Sequence, residues 1–180
     1  KCFEHSGMTI QRLQPGIKLP LHNAASTRAL ETHLASALPA RALMQRAGQG
    51  IAQLAMALAP HAKTIWVACG PGNNGGDGWE AAVHLKAAGM HVVVSHEAPA
   101  SGLPQDALDA MNAAHQSGIT ANTPPLDLGT EDLCIDAMLG LGSSKPLPDD
   151  LQSWVELMNR SQAQILALDL PTGLNPESGQ

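Results

Sequence analysis

The chain has 180 residues, 44% of them apolar and 14% charged, with a formal net charge of −6. These figures fit one globular domain with a sizeable core and exclude a disordered chain. Ten Lys and Arg in all argue against a nucleic-acid partner, which needs clustered cations. No apolar run approaches the ~18 residues that cross a membrane.

Aromatic residues are scarce, namely Phe3, Trp66, Trp79 and Trp154 with no Tyr, so the core must come from aliphatic side chains. Cys2, Cys69 and Cys134 are odd in number and lack CxxC spacing. Cys69 and Cys134 sit in apolar strand patterns, where a reduced thiol behaves as a small hydrophobe. The opening KCFEHSGMTIQ lacks the apolar segment of a signal peptide, and a cytoplasmic location is expected.

In chain order, residues 1–20 read as an N-terminal tail and residues 21–180 as one domain. STRALETHLASAL predicts a helix with Ser26 as N-cap. PARALMQRAGQGIAQLAMAL predicts a second, with Pro39 in its first turn. Its Leu43, Met44, Ala47, Ile51, Leu54, Ala55 and Leu58 recur at three- and four-residue spacing and predict one buried face. From residue 64 the texture alternates: strand-like runs at 64–69, 91–96, 133–139 and 164–170 are separated by helical patterns at 78–89, 104–117 and 149–160. TPPLDLGTED at 123–132 reads as a loop with one weak strand at most. Apolar strands alternating with helices predict an α/β fold, a Rossmann-like three-layer sandwich with a mainly parallel sheet and an N-terminal helical extension.

In such sheets ligands gather at the carboxyl ends of the strands. Three of the four strands end in polar chemistry: GPGNNGGDG at 70–78, Asp136 followed by MLGLGSSKPLP, and Asp169 followed by LPTGLNPESG. Asn74, Asp77, Asp136, Asp169 and Thr172 therefore converge on one rim. The first turn is open to three readings: a phosphate cradle, a dinucleotide fingerprint, or a tight turn without ligand. Its glycines are expected to permit positive φ and to let a ligand approach the bare backbone. Glycines at 70, 72 and 75, with Glu97 further on, match GxGxxG, but Pro71 and a late helix start weigh against it. No Gly-Lys-Ser/Thr follows, which removes the P-loop. GLGSSKP offers an anion nest with Lys145 as its cation. A buried strand-end carboxylate such as Asp136 needs a cap or a cation, and with Asn74 and Thr172 it offers oxygen ligands suited to potassium, magnesium or calcium.

VACGPGNNGGDGWEAAVHL, IDAMLGLGSSKPL and ALDLPTGLN, with ARALMQRAG before them, resemble in order and spacing the signature segments of the NAD(P)H-hydrate epimerases, the YjeF N-terminal domain family. The resemblance covers about residues 25–179. It implies an isomerase that interconverts the R and S forms of NADH or NADPH hydrated at C6 of the nicotinamide ring. It implies substrate binding by Asn73, Asn74, Gly75, Gly76 and Asp77, and by Gly140, Leu141, Gly142, Ser143, Ser144, Lys145 and Pro146. Asp169 would bind substrate and act as the acid/base group, and Asn74, Asp136 and Thr172 would hold one potassium ion. A homodimer and a fused or separate ADP/ATP-dependent dehydratase are the implied partners. Trp79-Glu80 stands where the family has an apolar pair, and PTG replaces the commoner PSG. The family domain continues with a further strand and helix, so the chain reads as truncated at its C-terminus. The alternatives are a non-catalytic scaffold of the same fold and a Rossmann NAD-dependent oxidoreductase.

Overall fold

The computed structural model describes residue 16 and residues 22–99, 101–141 and 147–179. Helix α1 spans Ala24–Ala35 and α2 Ala42–Leu58. Strand β1 (Ile65–Cys69) is followed by α3 (Asn73–Ala87), β2 (Val92–His96) and α4 (Gln105–Gln116). Then come β3 (Leu133–Ala137), α5 (Asp149–Arg160) and β4 (Gln164–Ala167). The four strands form one parallel sheet in the order β2-β1-β3-β4. The 123–132 segment holds no strand, and an isolated bridge joins Ala121 to Val94 just before it.

One face of the sheet carries Ile65, Val67, Cys69, Val94, Leu133 and Ile135, covered by α2, α3 and α4. The other carries Trp66, Ala68 and Cys134, packed with Leu151, Leu157 and Met158 of α5. These are the three expected layers, with central strands β1 and β3 buried along their whole length. The thiols of Cys69 and Cys134 are free and buried, and burial pushes the Cys134 thiol up to about 11. Both stay protonated and inert near neutrality.

Three local expectations need correction. The N-cap of α1 is Asn23, whose Oδ1 accepts the Ser26 N–H at 2.9 Å; Ser26 lies inside the helix. Pro39 precedes α2 rather than entering it: its carbonyl accepts from Ala42 N, and Arg41, at φ 64°, is the N-cap. The buried face of α2 is Met44, Gly48, Ala52 and Ala55, while Leu54 and Leu58 are 49% and 48% exposed. Residue size decides this face, because α2 lies close against α3 and a Cβ on Gly48 would press on the Glu80 side chain.

Helix α3 starts at Asn73, so NNGGDG is its first turn and a half and not a loop. No glycine between 70 and 78 has positive φ. They are needed for close approach instead. A Cβ on Gly70 would strike the Met138 carbonyl, and one on Gly75 would strike the backbone of Gly70. A Cβ on Gly76 would meet Met44 and Ala107, and one on Gly78 would lie 2.7 Å from Ala137 Cβ and 2.9 Å from Cys69 Sγ. The glycines let α3 sit almost backbone-to-backbone on the ends of β1 and β3. Gly78→Ala should therefore cost about 1–3 kcal/mol by overpacking, read as a lower urea midpoint at unchanged slope; an unaltered midpoint would contradict this packing.

Candidate active site

Registry sets the site. Cys69 pairs with His96 and with Ala137, and Asp136 pairs with Ala167. Gly70, Glu97, Met138 and Leu168 consequently follow the four strands along one rim. From β1 the chain leaves through α3 toward β2; from β3 it leaves through α5, on the opposite face, toward β4. The topological switch point, and with it the crevice at which open α/β sheets bind ligands, falls between β1 and β3 where those connections diverge.

Asp136, buried in β3, is fixed by Thr172, which follows β4, and by the backbone of its own turn. Its Oδ1 accepts from Thr172 Oγ1 at 2.7 Å and from Met138 N at 3.2 Å; its Oδ2 accepts from Thr172 N at 2.8 Å. Thr172 Oγ1 also accepts from Leu139 N at 3.1 Å. All three donors to Asp136 are neutral, so a buried carboxylate is capped without a counter-charge among the described residues. Asn74 stands in the first turn of α3, and its Nδ2 is buried without a partner. The Asp136 carboxylate and the Thr172 hydroxyl, hydrogen-bonded to each other, are oxygen donors of the type a hard cation takes, whereas the unpartnered atom of Asn74 is an N–H donor that calls for an acceptor.

Asp169 sits at φ 67°, in the left-handed region. Leu170 N donates to Leu168 O at 2.8 Å, which makes Asp169 the centre of a γ-turn of the rare, positive-φ kind. Such strain persists only where surrounding structure enforces it. Here the enforcing partner is the β3 turn: Asp169 Oδ2 accepts from Leu141 N at 2.6 Å, and it lies where a Cβ on Gly140 would be. The carboxylate is held in place yet Asp169 remains exposed at the rim.

Asp77, one turn into α3, is pushed up to about 7, first by burial and then by the charges of Glu31, Asp169 and Glu80. Its neighbourhood to Asp169 brings the α3 and β4 contributions together. Glu97, at the end of β2, is raised by burial and by Asp150. Gly140 and Leu141 stand against Asp169 as described, whereas Gly142, Ser143, Ser144, Lys145 and Pro146 lie outside the described residues. The helix start at Asn73 also removes one objection to a GxGxxG reading, since GPG leads directly into a helix.

Glu80, in the unusual Trp79-Glu80 pair, is bridged by Arg41 Nη2 at 2.7 Å, and the two side chains are 9% and 19% exposed. This ties the start of α2 to α3 behind the site. Removing one partner of a buried pair strands the other, so Glu80→Ala should cost about 2–3 kcal/mol, softened by the exposure Arg41 keeps. A double-mutant cycle with Arg41→Ala in urea measures it, and purely additive losses would contradict the coupling. Trp79 itself is buried, with the rings of His96 and His115 edge-on at 5.6 and 5.5 Å.

Residues 40–180 match the family model described as "YjeF-related protein N-terminus". The chain belongs to that family. It is 36% identical to an NAD(P)H-hydrate epimerase of Rhodopirellula baltica over 79% of this chain and 60% of the relative. It is also 36% identical to an NAD(P)H-hydrate epimerase of Achromobacter xylosoxidans over 89% of this chain and 76% of the relative. A similar identity, 36%, relates it to a "Bifunctional NAD(P)H-hydrate repair enzyme Nnr" of Pyrobaculum aerophilum, over 79% of this chain and 30% of that protein. The chain thus spans 60% of the length of the Rhodopirellula relative. The crystal structure of yeast ynu0 matches with a TM-score of 0.71 at 21% identity, over 87% of this chain and 72% of that one, a likeness of fold. Among the described residues no helix is long and apolar enough to cross a membrane.

Proposed function

We propose that the chain epimerises hydrated NADH or NADPH at C6 of the nicotinamide ring, a repair of damaged cofactor. The observation that supports this most is the strained presentation of Asp169, an exposed carboxylate held at the rim of the crevice by Leu141 N. Membership of the family and the names of its relatives give the substrate class.

The reaction suits the site. Inverting this carbon means that the C6–O bond breaks, the hydroxyl leaves as water, and water adds to the other face. The carboxyl of Asp169 donates a proton to the leaving hydroxyl, and its carboxylate recovers a proton when water returns, so atoms and charge balance over the cycle. General acid–base assistance of this kind contributes about 10²–10⁴ in rate. Asn73 to Asp77 and Gly140 to Pro146 bind the dinucleotide, and Asp77 placed beside the reacting carboxylate helps to orient the ring. Asn74, Asp136 and Thr172 hold one potassium ion, whose positive charge offsets Asp136 near an anionic substrate. The reading includes a homodimer, a cytoplasmic location and a dehydratase partner that consumes the S form; the bifunctional relative supports the last.

A coupled assay tests it. A dehydratase specific for the S form is allowed to exhaust that form, and the chain is then added with and without potassium. Consumption of the remaining R form is expected, faster with the ion. No consumption above the spontaneous rate by folded protein would refute the reading.

A further inference from the structure

Helix α1 buries no residue and packs extensively against no other element, and it lies before the span that the family model matches. Two of its side chains nevertheless reach the site. Arg28 Nη2 donates to the Leu141 carbonyl at 3.1 Å, across 113 residues of sequence. Glu31, three residues on and so on the same helix face, is near enough to be the strongest charge acting on Asp77. One face of α1 therefore spans the crevice from the β3 turn to the start of α3.

The rim is rich in carboxylates: Asp77, Asp169, Glu97 and Glu31 beside the buried Asp136. A dinucleotide brings two more negative charges in its diphosphate, which such a rim repels unless cations face it. Among the described residues, Arg28 is the cationic side chain hydrogen-bonded to the β3 turn, while Arg41 is committed to Glu80. A guanidinium has five N–H donors in a planar fork suited to phosphate oxygens, and the contact to Leu141 O engages one amino group of it. The exposed position of Arg28 leaves the fork open to solvent at the mouth of the site.

We propose that Arg28 is a substrate-binding residue, reaching from α1 over the Gly140–Leu141 turn to pair with the diphosphate of the dinucleotide. This inference rests on the proposed substrate class. Calorimetric titration with ADP-ribose and with adenosine tests the contact without catalysis. Arg28→Ala should weaken ADP-ribose by about 10–100-fold, leave adenosine unchanged, and flatten the salt dependence of ADP-ribose binding. Arg28→Lys should recover part of the loss. In the epimerase assay the same substitution should raise KM by more than it lowers kcat. Because α1 buries nothing, the variant should melt with the wild type, which circular dichroism checks.

ADP-ribose affinity within about twofold of wild type in Arg28→Ala would overturn the proposal, as would a wild type that does not bind ADP-ribose. A fall in kcat at unchanged ADP-ribose affinity would overturn it too, showing that Arg28 only holds the turn behind Asp169. Arg28-dependent binding of ADP-ribose by a chain that leaves the R hydrate unchanged would sink the epimerase reading and leave this one standing.

Discussion

Asp169→Asn is expected to lower epimerase turnover by about 10²–10⁴-fold while leaving substrate affinity within about twofold. The substitution isolates the proton. Asn tolerates the left-handed backbone at φ 67° better than most residues, and its amide oxygen can still accept from Leu141 N. The γ-turn, the contact with Gly140 and the shape of the rim are all retained. What is lost, on the proposed mechanism, is the group that donates a proton to the departing hydroxyl and takes one back. Initial rates across a substrate range separate kcat from KM; turnover within a few-fold of wild type would remove Asp169 from the chemistry.

The second large effect concerns stability. The Asp77 carboxyl is raised from its ordinary 3.8 to about 7, chiefly by burial. The folded chain therefore holds this proton more tightly than the unfolded chain between those values. Unfolding releases it there, so stability falls as pH rises through that window and levels off above it. At ~1.4 kcal/mol per unit, the ionised side chain costs about 2–4 kcal/mol of stability at pH 8, the lower figure allowing for residual exposure. Asp77→Asn removes the charge and should raise stability at pH 8 by that amount, with little change at pH 4. Urea midpoints at both pH values measure it. A variant that loses stability with rising pH in parallel with wild type would show that Asp77 is not the titrating group. A buried charge kept at such cost is what a site selected for binding, rather than for stability, is expected to contain.

The layer order and all four strands were legible in the sequence because β1 and β3 are apolar on both faces and the punctuation between elements is strong. The start of α3 was not. Glycine costs about 1 kcal/mol in a helix interior, so NNGGDG reads locally as a loop. Its contacts with Gly70, Met44, Ala107 and Ala137 override that preference. The buried face of α2 departs from its periodicity for a related reason, since periodicity counts hydrophobicity whereas the close crossing with α3 selects Gly48, Ala52 and Ala55 over Leu54 and Leu58.

At the site, the meeting of Asp136 with Thr172 was legible from two strand ends on one rim, and the structure supplies the direct hydrogen bonds between them. The strained turn at Asp169 left no sequence signal, because nothing but its partner Gly140 and the Leu141 N–H reveals why an aspartate occupies a left-handed position. Arg28 and Glu31 were equally silent. They sit in an ordinary surface-helix pattern, and only the placement of α1 over the crevice brings them to the β3 turn and to Asp77. Their spacing of three was the available clue, and it had no meaning without that placement.

The most direct measurement begins with the purified R epimer of hydrated NADH in ¹⁸O-labelled water with potassium, resolving both epimers by chromatography and mass. The S epimer should appear well above the spontaneous rate and carry the label, because the departing hydroxyl is replaced by solvent water. An R epimer that stays unconverted and unlabelled beside folded protein would contradict the assignment of this strand-end crevice to epimerisation.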